Sequence, residues 1–409
     1  MRLGSRALAL ALVLSLLPFT TVHAADVPPP TPVPPAGKPS PFPTSIDPGH
    51  VSARRAPVVG APSALLADLD TGQVLYEKRP GLRRPIASLT KVMTALVVLE
   101  EEKPDATLTV DREAVLTLAE GGYSLLELEA GEKISVEDLL YGLMLQSSND
   151  AAVALADAVA GNSKSFVQEM NRRAKELGLR DTHFASPNGL NDHGYSTAAD
   201  LVLITRTAME QPVFAEIVRT KFATMPGASA KDPPRKIQNR NVLLWLYPGA
   251  IGVKTGYTNL AGYNVIAAAE RDERRLLAVV LGEGGEPFSD AAELLNFGFK
   301  AFEQRTVLEE GQDFGVRRIG GEKVRLAAGE SLSALVPKGE EVATHVQISA
   351  ASGKPSAGEE VGVITASVQS LELGAVPLVV SEVVLVIPRR LREPSAWSFL
   401  VTAVGDLFS

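Results

Sequence analysis

Arg84-Pro85-Ile86-Ala87-Ser88-Leu89-Thr90-Lys91-Val92-Met93-Thr94-Ala95 is the stretch from which the rest of the chain is read. From Ile86 to Leu99 the run is apolar on every side, which predicts a helix buried in the middle of a domain. If Ser88 sits at the start of that helix, Lys91 falls three residues later on the same face, about 5–6 Å away. A serine hydroxyl is a poor nucleophile until a neighbouring base takes its proton. A lysine serves as that base only where burial or nearby positive charge lowers its pKa toward neutrality. The apolar helix supplies burial, and its N-terminus offers amide donors to an oxyanion. The plainer reading makes Ser88 a helix cap and Lys91 a solvated side chain. Residues 92–99 leave Lys91 no wet face, and that reading fits poorly.

Composition narrows the chemistry further. The chain has 409 residues, enough for two or three domains, with 40 basic against 48 acidic residues and a formal charge of −8. An acidic balance argues against a nucleic-acid partner. No cysteine is present, which excludes disulfides, thiolate metal sites and a cysteine nucleophile. The five histidines (His23, His50, His183, His193 and His345) form no H-E-x-x-H pair, and no metal or cofactor is expected. There is no G-x-S-x-G elbow, Walker A loop or G-x-G-x-x-G fingerprint. The reaction is therefore left to Ser, Thr, Lys, Asn, Asp or Glu. A serine–histidine pair using His183 or His193 is the looser alternative, and both histidines read better as structural.

Two further elements complete a constellation. Ser147-Ser148-Asn149 falls in a break between helical runs, where a short loop held by apolar helices would present a hydroxyl and an amide to Ser88 and Lys91. Asn149 as an ordinary helix N-cap is the bland alternative. Ser186-Pro187-Asn188 fits the same pattern, and Ser147 is preferred for its flanking helices. Lys254-Thr255-Gly256, followed by Tyr257, leads toward a strand. Lys254 and Thr255 suit an anionic group, and Gly256 lets a substrate backbone approach closely. A second lysine also helps to keep Lys91 neutral.

The organisation around these motifs is α+β. Residues 1–24 read as a signal peptide with basic Arg2 and Arg6, an apolar run from Ala7 to Leu17 and a small-x-small site at Val22-His23-Ala24. The run is too short for a membrane span. Residues 25–56 are a proline-rich linker. Residues 57–305 are expected to form the catalytic domain, an antiparallel sheet covered by helices with a helical subdomain. In it, strands at 64–68 and 73–77 flank an Asp70-Thr71-Gly72 turn, with helices at 136–145, 150–160, 164–177, 198–209 and 212–218. Core strands at 263–270 and 276–282 and a closing helix at 290–302 follow. Short alternating stretches over 306–388, among them 369–373 and 377–387, predict a small β-sandwich domain. Residues 389–409 carry Arg389, Arg390 and Arg392 ahead of a helical face of Trp397, Leu400, Val401, Val404 and Phe408, which suits a membrane interface. A helix packed on the β domain is the alternative.

Ser-x-x-Lys, Ser-x-Asn and Lys-Thr-Gly in this order mark the penicillin-recognising serine acyltransferases. The longer strings Arg84–Ala95, Met144–Ala152, Thr182–Leu190, Tyr195–Leu201 and Lys254–Thr258 resemble the low-molecular-mass D-alanyl-D-alanine carboxypeptidases, a likeness that covers residues 57–305 closely. The resemblance implies a β-lactamase/transpeptidase-like fold and a two-step acyl transfer on peptidoglycan stem peptides, with β-lactams as inhibitors. It implies Ser88 as nucleophile, Lys91 as proton acceptor and Ser147 as proton relay. Asn149 would hold the acyl chain and Lys91, the backbone N–H groups of Ser88 and Tyr257 would form the oxyanion hole, and Lys254 with Thr255 would receive the terminal carboxylate. With the signal peptide and tail, an exported enzyme is expected, periplasmic or at the cell surface and peripheral on the outer face of the cytoplasmic membrane. Members often carry an arginine just before the closing helix; here 284–290 holds no basic residue. A DD-endopeptidase acting on cross-links and a non-catalytic wall-sensing protein are the alternatives, and a β-lactamase is disfavoured because no E-x-x-L-N follows Ser147.

Overall fold

The structure, a computed structural model, describes residues 56–112, 115, 124–349, 353–369 and 371–384. The signal peptide, nearly all of the linker and the amphipathic tail lie outside the described residues.

Five antiparallel strands form the central sheet: β1 (Ser63–Asp68), β2 (Val74–Lys78), β7 (Ala250–Thr258), β8 (Gly262–Arg271) and β9 (Arg274–Glu283), in the order β2-β1-β9-β8-β7. Strand alternation sorts their side chains between two cores. Leu65, Ala67, Ile266, Ala268, Leu277 and Val279 face a large helical layer. Ala64, Leu66, Val265, Ala267, Ala278 and Val280 face the closing helix. The β1–β2 turn forms as its sequence predicts, with Asp68 Oδ1 accepting from Thr71 N at 2.7 Å and Gly72 at φ +78°.

The helical layer contains α1 (Lys91–Glu101), α2 (Val136–Tyr141), α3 (Asn149–Ala160), α4 (Ser163–Glu176), α5 (Ala198–Met209) and α6 (Pro212–Arg219). Two short ribbons attach to it: β3 (Thr107–Thr109) with β4 (Lys133–Ser135), and β5 (Phe222–Met225) with β6 (Arg235–Gln238). The N-termini are capped by side chains of the expected type: Ser135 accepts from Asp138 N, Asn162 from Ser165 N and Thr197 from Asp200 N. Pro212 occupies the first turn of α6, where its missing N–H costs nothing. After the short α7 (Leu243–Leu246) and strands β7–β9, α8 (Pro287–Ala301) closes the far face of the sheet.

Several boundaries differ from the sequence expectation. The helix expected from Ile86 is a 3-10 turn at Ala87–Thr90 that gives way to α1 at Lys91, with Ala87 held at φ +47°. The tighter turn separates Ser88 from the buried helix body while keeping it one turn from Lys91. The helix expected over 136–145 stops at Tyr141 and widens into a π turn, Gly142–Gln146. The closing helix begins at Pro287 and ends at Ala301, because Phe302 already starts strand β10 (Phe302–Leu308).

That strand runs through the boundary expected at 305 and pairs with β13 (Leu332–Pro337). The remaining strands, β11 (Asp313–Ile319), β12 (Glu322–Ala328), β14 (Ala343–Ile348), β15 (Glu360–Val368) and β16 (Leu371–Val383), form a sheet ordered β11-β12-β16-β15-β14. The stretches expected at 369–373 and 377–387 are one strand, with residues 385–387 outside the described set. Pro377 does not break it, since pairing with β12 begins one residue later at Leu378. Val324, Leu326, Ile364, Ala366 and Leu378 fill the core of this β unit. Gln73 in the β1–β2 turn joins the units: its Nε2 donates to Leu335 O at 2.7 Å and its Oε1 accepts from Leu335 N at 2.9 Å.

Candidate active site

Lys91 is fully buried, the first residue of α1, and three groups surround its amine. Nζ lies 3.0 Å from Ser88 Oγ, 2.8 Å from Asn149 Oδ1 and 2.6 Å from the backbone oxygen of Asn188. A neutral lysine has two N–H donors and one lone pair. Asn149 Oδ1 and Asn188 O can only accept, so they take both N–H groups. The lone pair is left for the Ser88 hydroxyl, the one neighbour able to donate. Burial pushes the Lys91 pKa well below its usual range, and the nearby charges of Lys254 and Arg240 push it the same way. Asp150 opposes them more weakly. The lysine expected at the heart of the site is thus buried, in reach of Ser88 and biased toward the free base.

The Ser147-Ser148-Asn149 break is built by the π turn. Ser148 N donates to Gly142 O at 3.0 Å, and Ser147 follows in the left-handed region at φ +64°. Such a backbone is costly for a residue with a Cβ and persists only where its surroundings hold it. Residues 124–128 do so. Asn149 N donates to Ser124 O, Ser124 Oγ to Gln146 O and Gln146 Nε2 to Leu125 O. Asp150 accepts from Leu126 N and Leu128 N at 3.0 and 3.2 Å. The N-cap of α3 is Ser148, without a side-chain cap bond, which leaves the Asn149 side chain free to meet Lys91.

Lys254, Thr255, Gly256 and Tyr257 lie on β7. A Cβ at Gly256 would lie 3.0 Å from Ser88 N and Ile86 O, so a side chain there would crowd the Ser88 turn and glycine lets this strand lie close against it. Lys254 is buried, donates to Thr255 O at 3.2 Å, and has its pKa lowered to about 7 by burial and then by Arg240. Tyr257 stacks on its cross-strand partner Tyr263, with ring centroids 4.4 Å apart. Ser88, Thr255 and Tyr257 remain partly exposed, as groups that meet a ligand must.

Two participants were not singled out from the sequence. Asn188 belongs to the Ser-x-Asn match that was set aside, and it reaches Lys91 through its backbone carbonyl. That atom is common to every residue type, so no pattern reveals it. Arg240 follows β6, donates its backbone N–H to Leu145 O at 3.0 Å and brings a guanidinium charge near both lysines. Nothing in its local sequence marks it.

A serine hydroxyl within hydrogen-bond distance of a buried lysine, on this α+β frame, is the arrangement expected of the penicillin-recognising acyltransferases. Residues 50–285 match the D-alanyl-D-alanine carboxypeptidase family, and the chain belongs to that family. It is 38% identical over 249 residues to the D-alanyl-D-alanine carboxypeptidase DacD of Escherichia coli, covering 58% of this chain and 62% of that one. The chain therefore spans about three fifths of that relative's length. The structure of penicillin binding protein 5 from Haemophilus influenzae superposes with a TM-score of 0.68 at 30% identity, covering 80% of this chain and 98% of that one. A Streptomyces DD-transpeptidase superposes with a TM-score of 0.57 at 37% identity, over 60% of this chain and 99% of its own. These neighbours carry the transpeptidase-like fold expected for residues 57–305.

Proposed function

We propose that this chain is a serine-type D-alanyl-D-alanine carboxypeptidase that removes the terminal D-alanine of peptidoglycan stem pentapeptides, and that penicillin acylates the same serine. The observation that carries this reading is the buried Lys91 amine, held within hydrogen-bond distance of Ser88 Oγ, Asn149 Oδ1 and Asn188 O. Lys91 takes the hydroxyl proton as Ser88 Oγ bonds to the carbonyl carbon between the two D-alanines. The backbone N–H groups of Ser88 and Tyr257 stabilise the oxyanion, a role favoured by the close approach of β7 at Gly256. The tetrahedral adduct collapses, the C–N bond breaks, and Ser147 passes the proton from Lys91 to the leaving amine. Water then adds to the ester, giving its proton back through Lys91 to Ser88 as the shortened peptide departs. Asn149 orients Lys91 and the acyl chain, while Lys254, Thr255 and Arg240 receive the terminal carboxylate.

Labelling with a fluorescent penicillin, followed by peptide mapping, tests this reading. The label is expected on the peptide containing Ser88, absent in Ser88→Ala, with D-alanine released from a pentapeptide by the wild type alone. The likeness to a DD-transpeptidase favours a second reading, in which the leaving group is the stem of a cross-linked dimer. Loss of dimer from purified muropeptides without free D-alanine would select it. An exported enzyme held against the outer face of the cytoplasmic membrane is part of this proposal, and the sequence reading of residues 1–24 and 389–409 supports it. Among the described residues no helix is long and apolar enough to cross a membrane.

A further inference from the structure

The groove beside Ser88 carries opposite charges at its two ends. On β7, Lys254, Gly256 and Thr258 share one face by strand alternation, and Gly256 marks the point where that face meets the Ser88 turn. Lys254 lies about 6.6 Å before it and Thr258 about 6.6 Å after it, at roughly 3.3 Å per residue. The Lys254 end has the Arg240 guanidinium nearby as its fixed positive charge. At the other end Thr258 Oγ1 donates to Asp192 Oδ1 at 2.9 Å, which fixes a half-buried carboxylate beside the strand.

The loop that carries Asp192 is fastened at several points. Ser186 Oγ accepts from Gly189 N and Asn191 N, and Thr94 Oγ1 donates to Pro187 O at 2.6 Å. Among the described residues no lysine, arginine or histidine forms an ion pair with Asp192; Thr258 is its partner.

We infer that Asp192 is a specificity-determining residue for the third residue of the stem peptide, selecting a diamino acid by its free side-chain amine. The inference rests on the carboxypeptidase reading, which sets the direction of the substrate. With its terminal carboxylate at Lys254 and its scissile carbonyl at Ser88, an extended peptide continues along β7 toward Thr258. The residue preceding the acyl D-alanine then lies one strand step beyond the reacting carbonyl, where a long side chain reaches Asp192. A cation there completes a charge pattern that the carboxylate begins at the opposite end.

Three peptides ending in D-Ala-D-Ala test this. One carries N-acetyl-L-lysine with a free side-chain amine, one carries the same lysine acetylated on that amine, and one carries meso-diaminopimelate. The wild type is expected to favour both free-amine peptides over the acetylated one by about three- to tenfold in kcat/KM, the range of a partly exposed charge pair. Asp192→Asn keeps an acceptor for Thr258 and should erase that preference while leaving the acetylated peptide unchanged. Equal handling of the free and acetylated lysine peptides by the wild type would overturn the inference, as would an equal loss on every peptide in Asp192→Asn. A wild type that releases no D-alanine from any of them, with no penicillin label on Ser88, would instead overturn the carboxypeptidase reading beneath it.

Discussion

Lys91 holds its place by hydrogen bonding and its character by burial. Its partners are two obligate acceptors and one hydroxyl, and the cations Lys254 and Arg240 add their repulsion to desolvation. Removing a positive charge from this set should raise the pKa values that it depresses. Arg240→Gln is expected to move the acid limb of the Ser88 acylation rate upward by about one pH unit, as loss of a nearby like charge allows. An unmoved limb would show that Arg240 is too well solvated to act on the pair. Lys254, with its pKa lowered to about 7, loses its charge as pH rises through that value. Binding of the terminal carboxylate should weaken over the same interval, seen as KM rising above about pH 7 while kcat holds. Lys91→Ala should slow acylation by about 10²- to 10⁴-fold, the usual contribution of a positioned base. The burial of Lys91 was legible because residues 92–99 offer it no wet face. The Asn188 carbonyl and Arg240 were not legible, since one is a backbone atom and the other approaches only through tertiary folding.

Elements present these residues where their geometry departs from regularity. The 3-10 turn at Ala87–Thr90 contains Ser88, and the π turn at Gly142–Gln146 ends at Ser147. Hydrophobic periodicity could not foresee either, because adding or removing a fraction of a residue per turn leaves an all-apolar run all apolar. By contrast α5 was read over its full extent, Ala198–Met209, from its helical pattern, and Thr197 caps it. The Ser147 turn depends on the 124–128 segment, and Asp150 pins that segment with both carboxylate oxygens. Asp150→Asn would turn an amide donor toward one of those backbone N–H groups. A cost of about 1–3 kcal/mol is expected in urea unfolding, together with slower Ser88 labelling, as for a buried donor left unpaired. Unchanged labelling at reduced stability would assign Asp150 to the fold alone.

Across the whole molecule, the sheet and its two cores hold the site, while the β unit joins the second core through Phe302 and Leu335 and is tied to the β1–β2 turn by Gln73. Gln73→Ala removes both hydrogen bonds to Leu335 and should lower the unfolding temperature of the β unit with D-alanine release unchanged. A fall in activity would mean that the units are coupled through that turn. Strand alternation made this unit legible as a β domain, and misplaced its divisions where Phe302 and Pro377 behaved against type. Removing residues 394–409 is expected to weaken liposome binding and spare catalysis; unaltered binding would count against the interfacial helix. Acylation in the proposed reaction begins from an uncharged amine at position 91. Titration of its 15N resonance in Ser88→Ala protein should give a midpoint well below the usual lysine value of about 10.4. A midpoint at or above that value would mean that Lys91 enters the site as an ammonium ion, unable to take the Ser88 proton.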